Sequence, residues 1–149
     1  MRNALIAGVI AVAAFVLFTS VAAARPAAHA ATVATARTGL GVILVDGNGR
    51  SLYLFEKDTH GRSACSGLCA TYWPPLLSSG KSNTTKGVKR SLVGAIRRAD
   101  GTRQVTYAGH PLYLFSGDAN RGETNGEGLN DFGATWSVLM PSGKKIARS

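Results

Sequence analysis

Along the chain, short apolar runs alternate with clusters of Gly, Asn, Asp and Pro, the punctuation of a β-rich domain. A first strand is predicted over residues 41–45, where Val42, Ile43, Leu44 and Val45 are consecutive. Asp46-Gly47-Asn48-Gly49 ends it with residues that tolerate positive φ, as tight hairpins require, and residues 50–55 form the return strand. There, period-two alternation sets Tyr53 and Phe55 on one face and Leu52 and Leu54 on the other. A strand apolar on both faces belongs in the middle of a sheet covered twice, or in a small closed barrel.

Residues 58–67 read as a polar loop, followed by one or two helical turns that Pro74 and Pro75 stop. Leu76 and Leu77 close a short strand after them. Residues 80–90 (GKSNTTKGVKR) are basic and without periodicity, and read as a linker. The strand pattern resumes at 92–96, turns at Ala99-Asp100-Gly101, returns at 103–107, and turns again at Ala108-Gly109 into residues 110–115. Pro111 has no N–H to donate and belongs at a strand start or an edge. Residues 118–133 form a long loop rich in Gly and Asn, residues 136–140 the last strand, and 144–149 a tail that frays or adds a short edge. Ahead of all these, residues 31–38 are small, polar and unpatterned and read as a flexible lead-in.

The predicted strands repeat. Leu52-Tyr53-Leu54-Phe55-Glu56-Lys57-Asp58 returns as Leu112-Tyr113-Leu114-Phe115-Ser116-Gly117-Asp118, a step of sixty residues that also relates Val45 to Val105 and Gly49 to Gly109; Trp136 answers Trp73. The expected fold is mainly β: two internally duplicated β-hairpin units packed as one small sandwich or barrel, with short helical turns in loops. Residues 39–143 make one domain, with repeat one at about 39–79 and repeat two at about 91–143, because a lone half buries too little surface to be stable.

Arg2, the apolar run 4–18 and the small residues after it have the form of a signal peptide, cleaved after Ala30 or, earlier, after Ala24. Removal of residues 1–30 takes away Arg2 and Arg25 and no acid, so the net charge goes from +9 to +7. With export, no intracellular nucleic acid is expected as a partner. The positive charge suits an anionic cell-wall polymer or lipid surface, or serves only as a solvated exterior.

Several motifs together carry a resemblance. Two copies of Tyr-x-Phe-x-x-Asp, the segment Cys65-Ser66-Gly67-Leu68-Cys69-Ala70-Thr71-Tyr72-Trp73-Pro74-Pro75-Leu76 and the segment Tyr107-Ala108-Gly109-His110-Pro111-Leu112-Tyr113 resemble a group of exported bacterial "secreted repeat" proteins. That group is described as predicted lipoproteins with a Tyr-x-(Phe/Trp/Tyr)-x-x-Asp motif. The resemblance covers about residues 39–143 and marks Tyr53, Phe55, Asp58, Tyr113, Phe115 and Asp118 as motif residues. It implies export and a repeat rather than a defined activity. The chain departs from the lipoprotein pattern, since no Cys precedes Cys65 and none stands at the signal cleavage region.

Candidate chemistry is sparse. Cys65 and Cys69 are the only cysteines of an exported chain, so a structural disulfide is expected, worth about 2 kcal/mol for so short a ring, with Gly67 supplying the freedom to close it. The alternative is a copper or thiol-redox site on the two thiolates with His60 or His110 as a further ligand. Tyr53, Phe55, Tyr113 and Phe115 are expected in the core rather than on a binding surface. Asp58 and Asp118 are expected to accept backbone N–H bonds that fix the loops after them. The oxygen donors of 118–123 echo a calcium loop, but Glu123 stands where its Gly belongs and Leu129 where its Glu belongs. Lys81, Lys86, Lys89, Arg90, Arg97 and Arg98 form an acid-free basic stretch. No catalytic constellation is recognisable, and the expectation is a non-enzymatic exported repeat domain that binds or builds the cell envelope, without a cofactor.

Overall fold

The computed structural model describes residues 29–59 and 61–146. The signal-peptide reading therefore lies outside the described residues except at His29 and Ala30, as do His60 and residues 147–149 of the tail. The described residues form nine strands, one α-helix and one 3-10 turn. In chain order these are β1 (Thr32–Thr38), β2 (Gly41–Asp46), β3 (Tyr53–Phe55), α1 (Leu68–Tyr72), β4 (Asn83–Thr84), the 3-10 turn Arg90–Leu92, β5 (Val93–Arg97), β6 (Arg103–Tyr107), β7 (His110–Pro111), β8 (Asn130–Asp131) and β9 (Ala134–Val138). The strands make three small sheets, ordered β2-β1-β4, β3-β9-β8 and β5-β6-β7, which do not close into a barrel. No helix among the described residues is long and apolar enough to cross a membrane.

The hairpin of the first copy differs from the one the sequence predicts. Residues 32–38 are strand β1, paired with β2 from Val33 opposite Asp46 to Thr38 opposite Gly41, and not a flexible lead-in. Val33 is fully buried, and Ala34 and Ala36 pack against the core. The Ala-Thr composition hid this, because a methyl group fills a shallow inward site without raising the hydropathy of the segment. Past the turn, residues 51 and 52 touch β2 only through the Val45–Ser51 bridge and a bond from Leu52 N to Leu44 O (3.0 Å); β3 then departs to another partner.

The second copy repeats this hairpin as β5–β6, and comparison of the two corrects the sequence alignment. Leu44 N donates to Leu139 O and Val105 N to Leu76 O; Leu44 O accepts from Leu52 N and Val105 O from Leu112 N. Leu44 and Val105 are thus the structural equivalents, a step of sixty-one, and both belong to one apolar cluster, whereas Val45 lies in the other. The turn of the first copy holds one extra residue, which restores the step to sixty by Tyr53.

The copies interlock. Tyr53 N donates to Tyr113 O (2.9 Å) and Tyr113 N to Tyr53 O (3.0 Å), a reciprocal antiparallel pair formed by one motif position with its own repeat. Such a self-complementary contact places a local two-fold axis between the two tyrosines. Each motif strand then takes its outer partner from the other copy: β3 pairs with β9, Tyr53 opposite Val138 and Phe55 opposite Trp136, while Tyr113 pairs with Pro75. The segments that follow break the symmetry. After the first copy, part of the basic linker becomes β4, which lies parallel to β1; after the second, the tail folds back on β9 through the Leu139–Lys145 bridge.

β3 is buried on both faces, as its sequence requires. Tyr53 and Phe55 enter a cluster with Tyr113, Trp73, Trp136, Ile43, Val45 and Val138, and Leu52 and Leu54 enter a second with Val33, Leu44, Val105, Tyr107, Leu112 and Leu139. Burial of each large side chain stabilises the fold by roughly 1.5–3 kcal/mol.

Candidate functional site

The duplicated motif residues converge on the two-fold axis. Phe55, Trp136, Trp73 and Phe115 stack in that order, with ring centroids 4.1, 3.9 and 4.3 Å apart. The central tryptophans, one from each copy, lie within 5° of parallel. Tyr53 meets Trp73 edge-on at 5.3 Å and Tyr113 meets Trp136 edge-on at 5.1 Å. Both arrangements suit the ring quadrupoles, at about 0.5–1.5 kcal/mol per pair beyond area burial. The exchange of strands explains the order: Phe55 stacks on the tryptophan of the second copy and Phe115 on that of the first.

The polar half of the motif is exchanged in the same way. Tyr53 Oη donates to Asp118 Oδ2 (2.6 Å), and Tyr113 Oη donates to Asp58 Oδ2 (2.7 Å). The second oxygen of each carboxylate fixes its own loop, Asp58 Oδ1 accepting from Ala64 N (2.7 Å) and Asp118 Oδ1 from Asn125 N (2.9 Å). Each Asp thereby ties a loop of its copy to a tyrosine of the other. Burial pushes both carboxyls above the usual carboxylate range, opposed by these donors. Burial, reinforced by the facing carboxylate, holds both phenols above their ordinary value, so they stay protonated and able to donate.

The loop held by Asp58 carries the cysteines. Cys65 and Cys69 form a disulfide, with Cα atoms 5.3 Å apart and both residues buried. Cys69 sits in the first turn of α1, and the backbone before it is irregular, with Gly67 at φ 56° where a side chain would be strained. The two sulfurs are bonded to each other, the oxidised state of a dithiol pair. His110 lies in β7, His60 is outside the described residues, and among the described residues no three His, Cys, Asp or Glu side chains gather for a metal ion. The echo of a calcium loop leads elsewhere too: Asp118 faces Tyr53 and Asn125, and Glu123 accepts from the backbone and side-chain nitrogens of Asn120.

Arg98 was not legible. Placed by sequence in an acid-free basic stretch, its side chain is only 6% exposed. Its guanidinium donates to Ser63 Oγ (2.9 Å), Gln104 Oε1 (2.6 Å) and Cys65 O (2.6 Å) and lies 3.8 Å from Asp100 Oδ2. It joins the disulfide loop to the β5–β6 hairpin, and Ser63 in turn lies 2.7 Å from Tyr113 Oη. One clue was available: Arg98 precedes the Asp100-Gly101 turn, where a buried acceptor such as Gln104 lies across the hairpin. Lys81, Lys86, Lys89, Arg90 and Arg97 do lie on the exterior.

The arrangement is a symmetric latch. Among curated proteins and among solved structures, none matches this chain. A family model described as "Secreted repeat of unknown function" matches residues 34–77 and 94–140, one match per copy and together more than half of the chain. The first match begins inside β1, in agreement with the strand found there. The protein belongs to this family of secreted repeats, Lipoprotein_15.

Proposed function

We propose that this chain is a non-catalytic, exported domain of the cell envelope that binds an anionic envelope component. The observation that carries the reading is the crossed latch. All four hydrogen-bonding groups of the duplicated motif are engaged with one another inside the fold, which suits a structural role for the motif and leaves the exterior for binding. That exterior is basic: the chain beyond residue 30 carries a net +7, and Lys81, Lys86, Lys89, Arg90 and Arg97 are exposed within one segment. Charge of one sign gathered on a surface raises the local concentration of an oppositely charged polymer and speeds its capture.

Sedimentation with bacterial wall preparations tests the proposal. The protein is expected to pellet with walls that retain their anionic polymer, to stay in solution with walls stripped of it, and to be released by molar salt, where the screening length falls to about 3 Å. Equal retention by intact and stripped walls, or none by either, contradicts it.

A further inference from the structure

The two-fold relation between the copies fails at the outer sides of β1 and β5, and a cavity lies beside β5. β1 and β5 are equivalent edge strands of the two hairpins: Thr35 faces Leu44 and Ala95 faces Val105 across them. The outer edge of β1 is covered by β4, with Asn83 N donating to Ala31 O and Thr85 N to Val33 O. The tail that would play this part for β5 turns back toward β9 instead, so among the described residues no strand pairs with the outer edge of β5.

A cavity of about 280 Å³ opens beside β5, lined by Gly80, Lys81 and Ser82 of the linker, Arg90, residues 93–95 of β5, and Arg103 of β6. Three consecutive strand residues border it. Val93 and Ala95 share one face of β5 with Arg103 of β6, and Gly94 between them has no side chain, so it is this face of the β5–β6 hairpin that meets the cavity. Three cations and no acid line it. Gly80 presents open space where a side chain would project, so an oxygen atom can approach its backbone.

We propose that this cavity binds the phosphate of a glycerol phosphodiester, with Arg90 and Arg103 as forked donors and Lys81 as a point charge. Guanidinium groups match phosphate oxygens two at a time, and a lysine adds charge with little directional demand. An acidic peptide adding itself as a strand fits less well. Val93 N–H is already taken by Arg90 O, which leaves too short a row of main-chain groups to hold a strand. The proposal rests on the envelope reading, and wall polymers and lipid headgroups both offer this chemistry.

The test is calorimetric titration of the full exported chain with soluble poly(glycerol phosphate) and with phosphatidylglycerol vesicles, at 0.1 M salt. Arg90→Gln/Arg103→Gln is expected to weaken binding of whichever probe is held by at least about tenfold, the loss of two charge-assisted hydrogen bonds. Lys86→Gln/Lys144→Gln removes equal charge outside the cavity and is expected to stay within about twofold. The probe that binds identifies polymer or membrane as the source. Equal losses in the two variants, no binding of either probe, or polyglutamate bound as tightly with the same arginine dependence would overturn the assignment. Unchanged near-ultraviolet circular dichroism in both variants excludes misfolding as the cause. Arginine-dependent binding of the soluble polymer without retention by walls would leave the cavity site standing and remove its envelope role.

Discussion

At the scale of single residues, the latch has a signature in pH. Tyr53 and Tyr113 have phenols raised above the ordinary value of 10.0, chiefly by burial. A group whose folded pKa is raised binds its proton more readily folded than unfolded, so its contribution to stability is complete below the unfolded value and declines as pH climbs past it. The expected result is that, as pH rises beyond 10, part of the tyrosinate absorbance appears only together with unfolding, and that this coupled part disappears in Tyr53→Phe/Tyr113→Phe. Smooth titration of every tyrosine in the folded wild type contradicts it. The same sign applies to Asp58 and Asp118: their contribution is largest below the unfolded value of 3.8 and is lost as pH rises through the raised folded value. Denaturant midpoints of wild type minus Asp58→Asn/Asp118→Asn are therefore expected to fall across that window; a difference that rises with pH contradicts the assignment.

At the scale of elements, what could be read from sequence depended on side-chain size. Tyr53, Phe55 and Trp136 announce their strands, and with Trp73 and Tyr113 the core, because each is large and the strand neighbours alternate. β1 is invisible by the same measure, since its inward residues are Ala34, Ala36 and a single Val, and β4 is two residues long and identified only by what it lies against. Arg98 sits in a run of basic residues and differs from them only in its surroundings. Val33→Asp introduces a carboxylate into a fully buried site with no partner and is expected to cost several kcal/mol, enough to unfold the protein at room temperature, whereas Arg37→Gln, exposed near the end of the same strand, stays within about 0.5 kcal/mol. Urea denaturation distinguishes them; two neutral substitutions restore the flexible lead-in.

At the scale of the whole molecule, the repeat was legible and its geometry was not. A step of sixty residues says which positions are equivalent, but equivalence is compatible with two units side by side as well as with two units interlocked. The distinction lies in Tyr53 pairing with Tyr113, in β3 taking β9, and in Phe55 stacking on Trp136, contacts between positions far apart in sequence that no local pattern encodes. Interlocking also accounts for the fixed spacing of Tyr and Asp in both copies, because each Asp must reach a tyrosine across the axis while holding its own loop. The disulfide and Arg98 secure the loop of the first copy; in the second, Glu127 Oε2 accepts from Val138 N (2.6 Å) and so joins the equivalent loop to β9.

The measurement that bears most directly on this architecture is a pair of double-mutant cycles on unfolding free energy. Tyr53→Phe with Asp118→Asn, and Tyr113→Phe with Asp58→Asn, are expected to show coupling of about 1–2 kcal/mol each, the range for residues sharing one buried hydrogen bond. Coupling within a copy, between Tyr53 and Asp58 or between Tyr113 and Asp118, is expected to be below about 0.5 kcal/mol. Strong coupling within each copy together with none across the axis would mean that each motif closes on itself, and the interlocked account would be wrong.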